Sequence, residues 1–508
     1  MDFAVINANV IPMVGGVRAE AVFIKDGIIE AVGASAEIAE LCRRHGLKAH
    51  DAAGATVLPA FYDCHVHMLT TGMNAMAADL YDCADIPSLI ALLKETESAL
   101  EDDSWVFGKR LDESRLAEGR PPLMSELDEI ERPVFIIDRG KHYTLVNRAA
   151  FEALEVDPEL KGVRRDEDGL LTGRLQDEAN KYAQQKYFLS WTDEQRADAI
   201  RYTAALAASR GICTLHPQEG LDSSDDDVRL MLSIKDELPV DIEVFWNTPD
   251  VNNILEAGLK SWGGDILLDG SIGSRTAAFS QKYCDGDTSG YLNLSDEEVL
   301  RFVKTALEND LTISFHAIGE LAITQALDAM ERALKEMPEK APGARLRLEH
   351  FGFPSERDIQ RAGALKLRVS MQSAFTALRG GPGTVYRSRL GEERERGGYP
   401  SRRLLDAGCI LGGGSDSDVT PMDSLFGIYA AVNQPYPENA LTPFEAVRMY
   451  TIDAARLAFE DDIKGSLERG KQGNLVILEE DPMQTDPKKI KDIKVLKTVR
   501  RGEVVFSV

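Results

Sequence analysis

Asp63-Cys64-His65-Val66-His67 follows an apolar run, residues 55–61, that reads as a β-strand. On a strand, residues i and i+2 share a face, so His65 and His67 aim two imidazoles at one point. Two borderline-soft nitrogen donors suit a divalent transition metal such as zinc. The pair alone is a weak signal, because His-x-His also arises by chance on solvated strands. Its weight comes from residues at the ends of other apolar runs. His216 closes the run 211–216, His316 the run 311–316, His350 the run 345–350, and Asp416 the glycine-rich run 409–416. Five of the eight histidines fall at such ends, while His45 and His50 lie in the N-terminal segment and take no role. A convergent set of imidazoles with one carboxylate is a candidate active site.

The elements that must position this set follow a rhythm. Helical windows at 194–209, 297–309, 322–337 and 401–407 each lead into one of the runs. Repeated strand–helix units predict parallel βα architecture, and (β/α)8 barrels carry their active sites at the C-terminal strand ends. Between 81 and 187 the rhythm breaks over a stretch too long for one βα loop. This predicts an inserted α/β subdomain with helices at 86–101 and 149–154 and a strand at 133–138. Residues 380–398, rich in Gly, Arg and Glu, read as a mobile surface or lid loop. Short strands at 3–10, 21–25 and 28–32, and again at 473–478, 493–500 and 501–506, cannot bury a face alone. Pairing the two sets into one small β-sandwich is the economical solution. The predicted fold is α/β: a (β/α)8 TIM barrel over 58–459, a composite β-sandwich from 1–57 plus 460–508, and an insertion at about 81–187.

The 508 residues are 44% hydrophobic, enough for a sizeable core. A net charge of -26 argues against nucleic acid or an anionic membrane as partner. No stretch approaches the roughly 20 apolar residues of a membrane span, and the N-terminus lacks the basic region of a signal peptide. The six cysteines are scattered without a C-x-x-C, which fits a reducing cytoplasm.

Five segments carry a family resemblance: Leu58-Pro59-Ala60-Phe61-Tyr62-Asp63-Cys64-His65-Val66-His67, residues 269–278 beginning Asp269-Gly270-Ser271, His316-Ala317-Ile318-Gly319-Glu320, Arg347-Leu348-Glu349-His350 and Gly414-Ser415-Asp416. Over nearly its whole length the chain resembles the amidohydrolase superfamily of metal-dependent hydrolases. It is most similar to the amidohydrolase-3 branch, which includes N-substituted formamide deformylase-like proteins. The resemblance implies His65, His67, His316 and His350 as metal ligands, with Asp416 touching both metal and hydrolytic water as general base and then general acid. His350 would either ligate a second metal or hydrogen-bond the hydroxide.

One departure matters. Where the branch usually offers a lysine four residues before Asp-Gly-Ser, this chain has Asp265. Aspartate is shorter and cannot be carbamylated. Either the centre is mononuclear, held by His65, His67, His316 and Asp416, or Asp265 reaches a metal after a backbone adjustment, or it stands behind a ligand histidine and orients it. One ion is favoured, with two left open; zinc is the expected metal. Glu320, Asn474 and Gln372-Ser373 also depart from the usual Asp, Asp and Gln-Pro. Substrate-binding candidates are His142 in the insertion, His216 at the end of the third strand, Ser271, Arg275 and Gln372; Arg275 could equally pair with Asp269. Gly412-Gly413-Gly414 lacks a following Lys-Ser/Thr, so it is no phosphate loop and serves close backbone approach.

The expected function is hydrolysis of a non-peptide C–N bond in an amide, cyclic amide or N-acyl small molecule. Deamination of a nitrogen heterocycle is the second enzymatic reading, and a non-catalytic small-molecule sensor the rival from another class. A homodimer is a family-level expectation.

Overall fold

A computed structural model of the protein describes residues 1–100, 104–139, 142–220 and 225–508. The chain divides into two compact units, residues 1–68 with 200–508, and residues 69–199.

Eight parallel strands of the first unit form a nearly closed sheet. They are β1 (Phe61–Val66), β2 (Ile212–Glu219), β3 (Asp241–Ile242, resuming at Phe245–Trp246), β4 (Ser261–Leu267), β5 (Thr312–Ala317), β6 (Arg345–His350), β7 (Arg368–Met371) and β8 (Ile410–Gly413). Neighbours pair in chain order. A bridge between Val66 and Ser417 brings the chain after β8 back to β1. Every residue of β1, β2 and β5 is buried, as a parallel sheet covered on both faces requires. Along β5 and β6 the polar Thr312, Ser314, His316, Arg347 and Glu349 alternate with Ile313, Phe315, Leu346 and Leu348, all inside. Helices return the chain between strands. Glu320–Glu336 buries Ala322, Ala326, Met330 and Ala333, a stripe at i, i+4, i+8 and i+11. Asp296–Glu308 opens on a reciprocal Ser295–Glu298 capping box.

Two expectations are corrected. His216 lies on the second barrel strand, not the third, because the short, interrupted β3 falls after it. Residues 380–398 are largely helical, with Val385–Arg396 following Ala374–Arg379. Burial of Tyr386 and Leu390 and an Arg387 Nε–Glu395 Oε2 ion pair at 2.6 Å fold the segment down. Gly391, at φ 75°, supplies the kink inside it.

The terminal segments form two sheets. One holds Phe3–Ile6, Ala21–Lys25, Ile28–Gly33 and His50–Asp51; the other holds Asn9–Val10, Thr56–Pro59, Leu475–Leu478, Val495–Arg500 and Glu503–Ser507. Val5, Val22 and Ile24 of the first share one apolar cluster with Val57, Leu475, Ile477 and Val499 of the second.

The unit 69–199 is wider at both ends than 81–187. Its six-stranded sheet runs in the order Val163–Arg165, Leu171–Gln176, Tyr143–Val146, Val134–Asp138, Val106–Leu111 and Ala78–Asp79. The period of two divides its core: Val134 and Ile136 pack with Leu89 and Leu93, and Phe135 and Ile137 with Tyr187. The helix expected over 86–101 spans Ile86–Ala99; Glu101 lies outside the described residues. No helix among the described residues is long and apolar enough to cross a membrane.

Candidate metal centre

The turn after β8 is latched onto the end of β1. Asp416 N donates to His65 O at 2.7 Å and His67 N to Ser417 O at 2.8 Å. Asp63 Oδ1 accepts from Ser415 N and His65 N. A Cβ on Gly414 would lie 2.8 Å from His65 N, so only glycine allows this approach. Asp416 itself takes a left-handed φ of 54°, a strained conformation of the kind concentrated at functional sites. Its Oδ1 comes 3.2 Å from His67 Nε2 and 3.5 Å from His65 Nε2.

Asp265 arrives by a bulge. Gly263 pairs with Ser314 and Leu267 with His316, so four steps of β4 oppose two of β5. The extra residues are taken up by Gly263 and Gly264 at φ 90° and 89°. A Cβ there would meet Ser314 O at 2.3 Å and Gln218 Oε1 at 1.6 Å. The bulge brings Asp265 toward the two imidazoles. Asp265 Oδ2 stands 3.2 Å from His67 Nε2, and Oδ1 3.8 Å from His65 Nε2.

These four side chains form a cage. A tetrahedral ion about 2.0–2.2 Å from each donor separates the donors by roughly 3.3–3.6 Å, close to the 3.2 and 3.5 Å at which Asp416 Oδ1 faces His67 and His65, while Asp265 faces them through separate oxygens. The imidazoles are set to bind: His65 Nδ1 donates to Glu349 Oε2 at 2.9 Å and His67 Nδ1 to Gln218 O at 3.0 Å. Both Nε2 lone pairs then point inward. His65 Nε2 and Asp265 Oδ1 are buried without a protein partner. Burial works against charge on His67, yet hydrogen bonding to Asp416 and the charge of Asp265 push its pKa up to about 10. The cage demands positive charge, and a divalent ion fits it.

His316 and His350 stand beside the cage. Their rings are 4.5 Å apart, and that of His350 is 4.9 Å from His65. His316 Nδ1 lies 3.5 Å from Asp269 Oδ1. Asp269 is pinned by the backbone N–H groups of Ala278, Ile318 and Gly319. His350 has φ 69°, and burial followed by the neighbouring His316 and His65 holds it well below the usual imidazole range, hence neutral. Donor atoms converge in two sets, His65–His67–Asp416 and His65–Asp265–His350, each within 4.8 Å. His65 belongs to both sets; Asp265 joins it with His350, and Asp416 joins it with His67.

The substrate-binding candidates scatter. His216 is fully buried, its Nδ1 3.1 Å from Arg347 Nη1. Burial and then Arg347 push its pKa well down. Gln372 is buried beside β8, bonded through Nε2 to Ser370 Oγ with Oε1 unpartnered. Ser271 is exposed in a turn, its Oγ 2.9 Å from Ser274 Oγ. Arg275 pairs with Asp285 through both Nε and Nη2 at 3.1 Å, not with Asp269. His142 is exposed and precedes the strand Tyr143–Val146 of the second unit. Sequence reasoning missed Glu349 and the roles of Asp269 and Gln218. A signal existed for Glu349: Arg347 and Glu349, at i and i+2, put opposite charges on one face of a buried strand.

The sequence pattern of the Amidohydrolase family matches residues 48–506. YtcJ of Bacillus subtilis (strain 168), named as an amidohydrolase, is 26% identical over 97% of both chains. The N-substituted formamide deformylase of Arthrobacter pascens is 27% identical over 100% of this chain and 98% of its own. An uncharacterized metal-dependent hydrolase from Pyrococcus furiosus has a crystal structure that superposes with TM-score 0.81 at 26% identity, covering 95% of this chain and 100% of that one. The chain belongs to the Amidohydrolase family.

Proposed function

We propose that this chain is a metal-dependent hydrolase that cleaves a carbon–nitrogen bond outside peptides, in an amide, a cyclic amide or an N-acyl small molecule. The observation that carries this reading is the cage of His65, His67, Asp265 and Asp416, with donors 3.2–3.8 Å apart. Two imidazoles and two carboxylates suit zinc, and one dication balances both carboxylate charges. When bound, the ion supplies Lewis acidity that acidifies water and polarises the scissile carbonyl. The residues of the chain do the rest. Glu349 and the Gln218 carbonyl hold the Nδ1–H groups of His65 and His67, so that each Nε2 faces the ion site. Asp416 turns Oδ1 toward both imidazoles, which leaves Oδ2 to take the proton of the attacking water and return it to the leaving nitrogen. His350, kept neutral, hydrogen-bonds the attacking oxygen. His67 is 25% exposed while Asp265 and Asp416 are 8% and 9%, so substrate approaches from the His67 side. A two-ion centre with Asp265 shared is the second reading, favoured by the convergence of His65, Asp265 and His350. We read the two terminal sheets as one small sandwich, because they share an apolar cluster.

Metal content per purified chain tests the reading, followed by turnover of amides, N-acyl compounds and amino-heterocycles. Close to one equivalent supports the single cage, and two the shared Asp265. A chain that stays metal-free after reconstitution sinks the hydrolase reading and leaves a small-molecule sensor.

A further inference from the structure

Glu349 is entirely buried one residue before His350, yet it belongs to neither convergent donor set. A carboxylate offers about four acceptor sites, and here all four are filled. Oε1 accepts from Arg347 Nε at 2.6 Å and from Ser314 Oγ. Oε2 accepts from Arg347 Nη2 and from His65 Nδ1, both at 2.9 Å. Arg347 is equally buried and equally tied. Its Nη1 faces His216 Nδ1, its Nη2 also reaches Cys64 O, and its guanidinium lies 4.2 Å over the Phe245 ring. Glu349 therefore has no lone pair left for an ion and no freedom to swing toward one. It touches the centre only through His65.

We propose that Glu349 is the positioning residue of the metal centre: it fixes His65 as the Nδ1–H tautomer, so that Nε2 is the donor, and the fork of Arg347 holds it in that role. His216 then acts as the neutral cap of the buried guanidinium. A neutral imidazole carries one proton on one of two nitrogens. Loss of the acceptor at Nδ1 frees His65 to protonate Nε2 or to rotate, and either change removes one ligand from the cage. Outer partners of ligand histidines are typically worth 10–100-fold in metal affinity. The carbonyl behind His67 cannot be mutated away, but the carboxylate behind His65 can. That makes Glu349 the adjustable element of the pair.

The inference rests on the metal-centre reading, and the experiment separates their failures. Removing Glu349 alone would bury an unpaired Arg347, so both charges are removed together. Arg347→Met/Glu349→Leu deletes the acceptor, whereas Arg347→Met/Glu349→Gln keeps a neutral one. Chelator competition gives the Co2+ affinity, the visible Co2+ spectrum reports ligand geometry, and thermal melts check folding. We expect the Leu pair to bind Co2+ about 100-fold more weakly than the parent with an altered spectrum. The Gln pair should recover at least about tenfold of that loss. Parent-like binding by both pairs overturns the inference, and so does equal weakening of both. A parent that binds no Co2+ overturns the metal centre as well. Should neither pair fold, histidine 15N spectra of the metal-loaded parent decide, with His65→Gln used to assign the signal: His65 protonated at Nδ1 supports the inference, and protonation at Nε2 overturns it.

Discussion

His65 and His67 reach the cage from the end of one strand, His67 one residue beyond it, where the pairing of β1 with β2 shifts register. His316 and His350 reach their places from two strands, and His350 needs a left-handed backbone to do so. The first pair is backed by a carboxylate and a carbonyl at 2.9–3.0 Å and faced by two further carboxylates. Behind the second pair stands Asp269, 3.5 Å from His316, Asp265 converges with His350, and both Nδ1 atoms lack a hydrogen-bond partner among the described residues. The first half thus sets two imidazoles against two carboxylates, with His65, His67 and Asp416 converging as one donor set. In the second half His350 is held neutral, whereas at His316 burial is outweighed by Asp269 and Asp265, which raise its pKa.

The comparison breaks most visibly at Asp416, the residue that closes the first half. Asp416→Asn should keep the fold and lower kcat on any hydrolysed substrate by about 10²–10⁴. Activity near that of the parent would remove Asp416 from the proton-transfer role.

Metal affinity then separates the halves directly. Asp265→Ala removes a cage donor and should weaken binding beyond the 10–100-fold typical of an outer partner. His316→Ala should leave the first ion in place. If the two variants lose metal alike, the halves form one shared centre.

Backbone sets the next effect. Gly263→Ala forces a side chain into φ 90° and against Ser314 O. It should destabilise by about 1–3 kcal/mol from strain and displace Asp265, lowering the Tm and the bound metal together. A lower Tm with unchanged metal would detach the bulge from the ligand role of Asp265.

How legible this was differs between the same halves. His65 and His67 are legible from the strand period together with the histidines and Asp416 that end the other apolar runs, His316 among them. On an ideal strand His350 would face away from Arg347 and Glu349; its φ of 69° reverses that, and no local pattern in the sequence announces it. Asp265 stood out as a departure, but its reach depends on register. Two adjacent glycines hint at a bulge, and only the pairing of Leu267 with His316 shows its size. The barrel rhythm holds except at β3, where six residues split into two short pairings. The 380–398 segment departs from a surface loop because Tyr386, Leu390 and Glu395 are buried, Glu395 paired with Arg387.

The smallest effect belongs to Arg275, which sits in a motif shared with the family yet points at Asp285. Both partners are about a third exposed, and Asp285 also accepts from Arg389. Arg275→Ala should therefore cost no more than about 1 kcal/mol and leave Asp265, His316 and bound metal undisturbed. Because Asp285 keeps Arg389, the loop after β4 should hold its place and KM should stay within about twofold, the size of a few tenths of a kcal/mol. A KM rise of tenfold or more at unchanged metal content would mean that the guanidinium leaves Asp285 to bind substrate. Recognition would then extend from the His65–His67 half into the loop after β4, and the contrast between the two halves would concern the ion alone.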